Sequence, residues 1–261
     1  MEPAFELFSD ILAYRDNALT RVDPRVKFVL AILAMVGVIL STGFAFPPAV
    51  FAASLAAMMA IRMPARLILV RLAAPLGIVL VVIVLQSLLV GSSPLFSISL
   101  FGLNIGVMRE GVLHGALIGT RVLGAVSVLL LLSSTTKAHQ IFHVLRWLGV
   151  PKGWVEVGML MYRYIFMLLD QASDVMDAQR VRLGYSSLRR SLSSTGVLAG
   201  TVIEVAMDQG IRTHEAMELR GYKGYMPFGA LPRISSKDFR ILWLTFGAIV
   251  IAYICLEWGA L

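Results

Sequence analysis

The feature that most limits this chain is a series of long apolar runs with almost no charge. Phe28–Phe44, Ala49–Ile61 and Leu72–Val90 contain none, Gly111–Leu132 contains only Arg121, and Phe239–Trp258 keeps Arg240 and Glu257 at its ends. A bilayer core of about 30 Å needs about 20 apolar residues in a helix, so these runs predict five transmembrane helices. The second run is short and reaches across if Arg62 snorkels or if the helix starts at Pro48. Composition agrees: 58% of the 261 residues are hydrophobic and 15% are charged, against about 25% charged in soluble domains.

Local chemistry sets the boundaries. Asp23 suits an N-cap and Pro24 the first turn of the first span, where a missing N–H costs nothing. Arg62, Arg66 and Arg71 mark a loop before the third span, which carries Pro75 in its first turn. Gly91–Met108 is rich in Ser and Gly, lacks charge and reads as an external hairpin or loop. The expected organisation is a lead-in at 1–27, with an interfacial helix around Phe5–Tyr14, and four spans at 28–132. Cytoplasmic helices follow at 133–238, and a last span at 239–261. The lead-in is acidic and lacks the basic n-region of a signal peptide, so the first span is expected to direct insertion.

The distribution of basic residues gives the orientation. Of 23 Lys and Arg, 7 lie in 15–71 and 14 in 137–240, leaving Arg109 and Arg121, while 45–48, 91–108 and 259–261 have none. By the positive-inside rule the N-terminus and the 133–238 block face the cytoplasm and the C-terminus lies outside. The net charge of +7 is thus a topology signal and implies a lipid bilayer, with no nucleic acid, as partner. Cys255 stands alone, which excludes an intramolecular disulfide and a Cys-cluster metal site.

The cytoplasmic block reads as three helices: Lys137–Leu148, stopped by Gly149-Val150-Pro151, then Trp154–Leu183, then Ser193–Arg220. The first half of the second is nearly all apolar and must lie against membrane helices or other protein. In the third, Glu204, Asp208, Arg212, Ala216 and Arg220 recur every four residues as a polar stripe. Leu198, Val202, Val205 and Ile211 flank it.

Both long helices end in one pattern. Asp177-Ala178-Gln179-Arg180-Val181-Arg182-Leu183-Gly184-Tyr185 is matched by Glu215-Ala216-Met217-Glu218-Leu219-Arg220-Gly221-Tyr222. Gly184 and Gly221 are the expected C′ stops. An arginine in a last turn complements the helix dipole, but that role needs neither the alanine four residues earlier nor Gly-Tyr. Repetition points instead to two gripping residues that make bidentate contacts with acids or carbonyls.

These strings resemble the transmembrane T component of energy-coupling-factor transporters, the CbiQ/EcfT family. The likeness extends to Leu19-x-Arg21-x-Asp23-Pro24-Arg25-x-Lys27 and to Tyr162-Arg163-Tyr164, and it covers most of the chain. It implies an all-α membrane subunit, not itself an enzyme, whose two long cytoplasmic helices cross. In the family an arginine near the end of each docks in a groove of one of two ATP-binding-cassette ATPases. That role falls on Arg182 and Arg220, with Arg180 as alternative or auxiliary. Ala178, Val181, Leu183, Ala216, Leu219 and Gly221 complete the two coupling motifs. ATP would be bound by those partners, and the transported ion by a small substrate-binding membrane subunit, with or without an accessory membrane subunit. The chain itself would need no cofactor. The Arg-Leu-Gly-Tyr form is most like the cobalt branch, in a prokaryotic cell membrane, with nickel or a vitamin as alternatives.

The remaining polar residues are weighed against that expectation. His139 and His143 are spaced i, i+4 but lack further ligands, so packing or solvation outweighs metal binding, and His214 reads as surface. Metal-binding groups within the spans are few, which fits a subunit that leaves selectivity elsewhere. Arg121 shares a face of the fourth span with His114 and Glu110, and either contacts the substrate-binding partner or braces the bundle. No G-x-x-x-x-G-K-[ST] run exists, and the serine pairs read as caps and turns. The rival classes are a polytopic membrane enzyme, which needs an acid and histidine cluster at the membrane, and a self-sufficient channel or carrier.

Overall fold

The computed structural model describes residues 19–20, 22–89, 94–100, 103–224 and 235–258. The described part is helical apart from one β-hairpin. Four helices, α1 Pro24–Leu40, α2 Phe46–Ala60, α3 Ala65–Leu89 and α4 Arg109–Thr135, precede α5 Ala138–Trp147, α6 Lys152–Val181, α7 Leu188–Leu219 and α8 Ser236–Trp258. Contacts divide the chain into two compact units, Met1–Ile141 with Pro232–Leu261, and Phe142–Leu231.

In the first unit α4 is the central element. Gly115 and Gly119 let it approach α3 closely: a Cβ on Gly115 would lie 2.9 Å from the Ile83 Cα, and one on Gly119 2.7 Å from Val79 Cγ1. Small residues at this spacing are how membrane helices reach packing contact without a hydrophobic driving force. Ser54 of α2 donates to Ser127 of α4 at 2.6 Å, and Ser127 donates to the Gly124 carbonyl at 2.7 Å. Leucines and valines on the outer faces of α1 and α3 stay exposed, as a lipid-facing surface requires.

Basic side chains in this unit cap helix C-termini, where carbonyls lack partners and the dipole is negative. Lys27 Nζ donates to the Thr135 carbonyl at 2.7 Å, and Arg71 to Ser134 Oγ at 3.2 Å, both at the end of α4. Arg121 donates to the carbonyl of Ser41, the residue that caps α1. Arg121 thereby ties the middle of α4 to the end of α1. His114 is exposed, and no contact brings it to Arg121.

Three helices, Ala65–Leu89, Arg109–Thr135 and Ser236–Leu256, are long and apolar enough to cross a membrane. With α1 at 17 residues and α2 at 15, the expected five spans become three full-length helices and a shorter pair. At 1.5 Å per residue α2 extends only about 22 Å. Asp23 caps α1 as expected, accepting from Arg25 N at 2.8 Å, whereas Pro47 and Pro48 lie in the first turn of α2. The third span starts earlier than expected, so Arg66 and Arg71 ride on the helix and Pro75 lies inside it. A membrane helix tolerates that missing bond when neighbours cover the freed group. Between α3 and α4 the uncharged stretch forms the antiparallel hairpin β1 Pro94–Leu100 and β2 Leu103–Met108, with Leu100 opposite Leu103. The expected interfacial helix around Phe5–Tyr14 and the external 259–261 lie outside the described residues.

In the second unit α5 ends at a left-handed Gly149, as the Gly-Val-Pro run predicts. Phe142 packs where Gly158 of α6 leaves room, since a Cβ there would fall 2.7 Å from its ring. Tyr162 and Phe166 continue that aromatic row edge to face. Helix α7 starts earlier than Ser193: Ser187 is its N-cap and accepts from Arg190 N at 3.4 Å. Serines 193 and 194 therefore lie within the helix, freeing Ser194 to tie the turn. The expected flank of α7 is only partly buried; Leu198, Val202 and Val205 are half-buried and Ile211 is exposed.

Candidate coupling site

Helices α6 and α7 run antiparallel, and three sets of polar contacts fix their register. Gln179 Nε2 donates to the Ser194 carbonyl at 3.0 Å, Tyr164 and Thr213 hydroxyls meet at 2.8 Å, and Tyr222 donates to Glu156 Oε2 at 3.3 Å. The first motif therefore lies at one end of the helix pair and the second at the other. Leu160 and Arg220 line the same cavity, which places Arg182 about 33 Å further along α6 at 1.5 Å per residue.

The two ends have the same backbone. Arg182 caps α6 at φ −84, ψ 13, and Arg220 caps α7 at φ −87, ψ 7. Behind Arg182, Leu183 N donates to the Arg180 carbonyl at 3.0 Å and Gly184 N to that of Gln179 at 2.8 Å. Behind Arg220, Gly221 N donates to Glu218 at 2.9 Å and Tyr222 N to Met217 at 3.0 Å. Both pairs are the reciprocal bonds of a Schellman ending, which satisfies carbonyls the helix leaves open.

The C′ assignment at the first end is corrected. Leu183, at φ 57, takes the left-handed position there, while Gly221, at φ 81, takes it at the second end. The extra leucine moved the glycine one place on, and a different constraint keeps it. A Cβ on Gly184 would fall 2.6 Å from Ser194 Oγ and 2.9 Å from the Gln179 carbonyl oxygen. Ser194 in turn donates to the Gly184 carbonyl at 3.0 Å.

The predicted residues separate by environment. Arg182 and Arg220 are exposed, as are Ala178 and Ala216. The aliphatic residues just before the arginines are bare, Val181 at 85% and Leu219 at 90% exposure, and Leu183 reaches 66%. Among the described residues nothing covers them. Arg180 forms a local, exposed ion pair with Asp177 at 3.1 Å. The apolar first half of α6 is only partly covered; Val157, Met161, Ile165 and Leu169 form an exposed row at four-residue spacing.

Sequence reasoning did not single out the cavity of about 340 Å³ between α6 and α7. Arg163 and Tyr164 line it from α6, and Gln209, Arg212, Thr213, Ala216 and Arg220 from α7. The four-residue stripe already held Arg212, Ala216 and Arg220, but only the α7 register adds Arg163. The Thr213 hydroxyl, helped by Gln209 and by Arg163, holds the Tyr164 phenol below its usual range, against a smaller opposing effect of burial. At the second tip, burial and then the Glu156 carboxylate push Tyr222 up.

Among the described residues no three His, Cys, Asp or Glu come together to hold a metal ion. His214 pairs with Glu218 at 3.3 Å on the surface.

A family model described as CbiQ, cobalt transport protein, matches residues 15–228. An uncharacterized protein of Methanocaldococcus jannaschii is 32% identical over 209 residues, covering 80% of this chain and 78% of that protein. The cobalt transport protein CbiQ of Rhodobacter capsulatus is 29% identical over 149 residues, 57% of this chain and 61% of its own length. A protein of Methanocorpusculum labreanum, provisionally named as a fused cobalt transport protein CbiMQ, is 32% identical over 117 residues, 45% of this chain and 19% of that one. The match thus spans less than two thirds of the latter two proteins.

Proposed function

Because this chain belongs to the CbiQ family of cobalt transport proteins, we propose that it is the energy-coupling membrane subunit of an ATP-driven importer, with cobalt as the transported ion. The membrane component of such a transporter works with partner subunits. In this reading they are two ATP-binding-cassette ATPases and a small substrate-binding membrane protein, with or without an accessory membrane subunit. The chain holds neither ATP nor cobalt and catalyses nothing alone.

One observation carries the reading. The same arginine-capped ending, preceded by a bare aliphatic residue, occurs at two points about 33 Å apart along one helix pair. Exposed aliphatic surface beside an arginine is the composition of a protein interface core. A single groove cannot hold both ends at that separation, whereas two copies of one ATPase can hold one each. ATP-driven approach of the two ATPases would then load the ends of α6 and α7. The exposed row Val157, Met161, Ile165 and Leu169 would carry the load to the binding subunit.

Orientation follows from the same basic residues. α1 and α2, crossing fully or entering together from the cytoplasmic side, leave α3 to cross outward, α4 inward and α8 outward. Either case puts the N-terminus and Phe142–Leu231 in the cytoplasm and the C-terminus outside a prokaryotic cell membrane.

The test is the double variant Arg182→Ala, Arg220→Ala, inserted in membranes at wild-type level. ATPase co-purification and ATP-dependent cobalt uptake should fall to background. Wild-type values for both in the double variant would refute the coupling role.

A further inference from the structure

The cavity between α6 and α7 carries more positive charge than helix-end docking requires. Arg163 reaches it from α6 and Arg212 and Arg220 from α7, and among the described residues no acidic side chain lines it. Arg212 and Arg220 have no ion pair among the described residues. Arg163 lies 5.8 Å from the Tyr164 ring centroid, a cation–π contact. The polar wall is held in place: Tyr164 and Thr213 hydroxyls meet at 2.8 Å, and Thr213 Oγ1 lies 2.6 Å from the Gln209 carbonyl oxygen. Ala216 stands midway between Arg212 and Arg220, one helical turn from each, and its small side chain keeps the space open. Leu160 and Met217 supply an apolar side.

Arg163, Arg212 and Arg220 are exposed, so the space they line is an open cationic groove that attracts an anion. We propose that this cavity receives an acidic side chain of the ATPase subunit that docks at the second motif, the carboxylate lying among Arg163, Arg212 and Arg220 and its methylene groups against Leu160 and Met217. This rests on the coupling role proposed above and adds to it a second, inter-helix contact. Continuity favours a protein carboxylate: Arg220 and Ala216 belong both to the cavity and to the docking motif. The contact also senses geometry. Arg163 and the Arg212–Arg220 pair are on different helices, so the carboxylate is gripped fully only when α6 and α7 keep their register. The alanine four residues before the arginine, unexplained by dipole compensation, gains a function as the gap that admits the acid.

The first motif lacks this arrangement. The residues one and two turns before Arg182 are Ala178 and Asp174, so the equivalent face is charge-balanced. A second acid is therefore expected to dock at one end only.

The full-length chain in detergent is titrated with its ATPase subunits, wild type beside Arg212→Glu and Ala216→Leu, with Arg189→Glu as a basic control outside the cavity. Arg212→Glu reverses the charge, and Ala216→Leu fills the space without touching charge at an exposed helical position. Both are expected to weaken ATPase binding at least about tenfold and to flatten its salt dependence, while Arg189→Glu changes neither. Arg212→Lys should recover part of the loss. Wild-type affinity in both cavity variants overturns the proposal and leaves the coupling role intact; failure of the wild-type chain to bind any ATPase refutes both. If Arg212→Glu instead loses binding to phosphatidylglycerol vesicles with ATPase affinity unchanged, the cavity holds a lipid headgroup and the proposal is wrong.

Discussion

The two ends of the helix pair reach one backbone geometry from two different sequences. At the second end Gly221 occupies the left-handed position, with nothing within 4 Å of where its Cβ would be. At the first end Leu183 occupies it, and Gly184 is packed against Ser194 one residue later. The arginine is the C-cap in both, with φ and ψ agreeing within a few degrees. What the two copies preserve is the placement of the arginine; the identity of the turning residue is free to differ. The glycines therefore have different tasks, one conformational and one steric, although the aligned strings make them look equivalent.

That difference predicts unequal costs. Gly184→Val should have the largest effect, because its Cβ would sit at 2.6 Å from Ser194 Oγ and 2.9 Å from a carbonyl oxygen. The serine hydroxyl can rotate but the backbone cannot, so the turn must open, at about 1–3 kcal/mol. The expected readout is faster proteolysis between α6 and α7, with loss of the Gln179 to Ser194 bond. Cleavage at the wild-type rate would remove the steric account of Gly184.

Gly221→Ala should cost less, about 1 kcal/mol, since only the left-handed conformation opposes it. Its effect should appear as fraying of the last turn of α7 in hydrogen exchange, with the first end unchanged. A cost equal to that of Gly184→Val would mean that the two glycines do the same work.

Leu183→Gly should act in the opposite direction. It relieves a left-handed leucine, worth about 1–2 kcal/mol, against a more flexible unfolded chain worth about 0.4–1 kcal/mol. A slight gain in thermal stability is expected together with weaker ATPase capture, because an exposed leucine beside Arg182 is lost. Higher stability with unchanged capture would remove Leu183 from the interface.

Much of this was legible in the residues, and the parts that were not have identifiable causes. Uncharged runs located the helices because a bilayer leaves the backbone few alternatives. Asp23-Pro24 and Gly149-Val150-Pro151 located boundaries because cap chemistry is local. The start of α7 was misplaced because Ser187, Ser193 and Ser194 are equally good caps by composition, and only the fold shows that Ser194 is needed at the turn. The C′ error at Gly184 has the same origin: glycine is the default left-handed residue, and no local signal says that leucine will take the strain. The arginine cavity was hidden for a third reason. Arg163 lies far from Arg212 in sequence, and the antiparallel register that joins them depends on Tyr164 with Thr213 and Tyr222 with Glu156.

The smallest predicted effect uses that register to tell the middle of the helix pair from its second tip. Tyr222 is half-buried and raised above its ordinary value, first by burial and then by Glu156. Its neutral form therefore contributes stability in full below about pH 10, the unfolded value, and that contribution is lost as pH rises through the raised folded value. Tyr164 is lowered, chiefly by the Thr213 hydroxyl. Its contribution is absent below the lowered value and grows as pH rises through it towards the unfolded value. The two tyrosines thus give the alkaline stability curve slopes of opposite sign. Removing Tyr222 as Tyr222→Phe should flatten the alkaline loss of thermal stability, and Tyr164→Phe should steepen it. Phenolate absorbance at the alkaline end of the titration should be smaller in Tyr222→Phe than in the wild type. Parallel curves for all three proteins would show that neither hydroxyl contact holds α6 and α7 together, and the register that builds the cavity would need another origin.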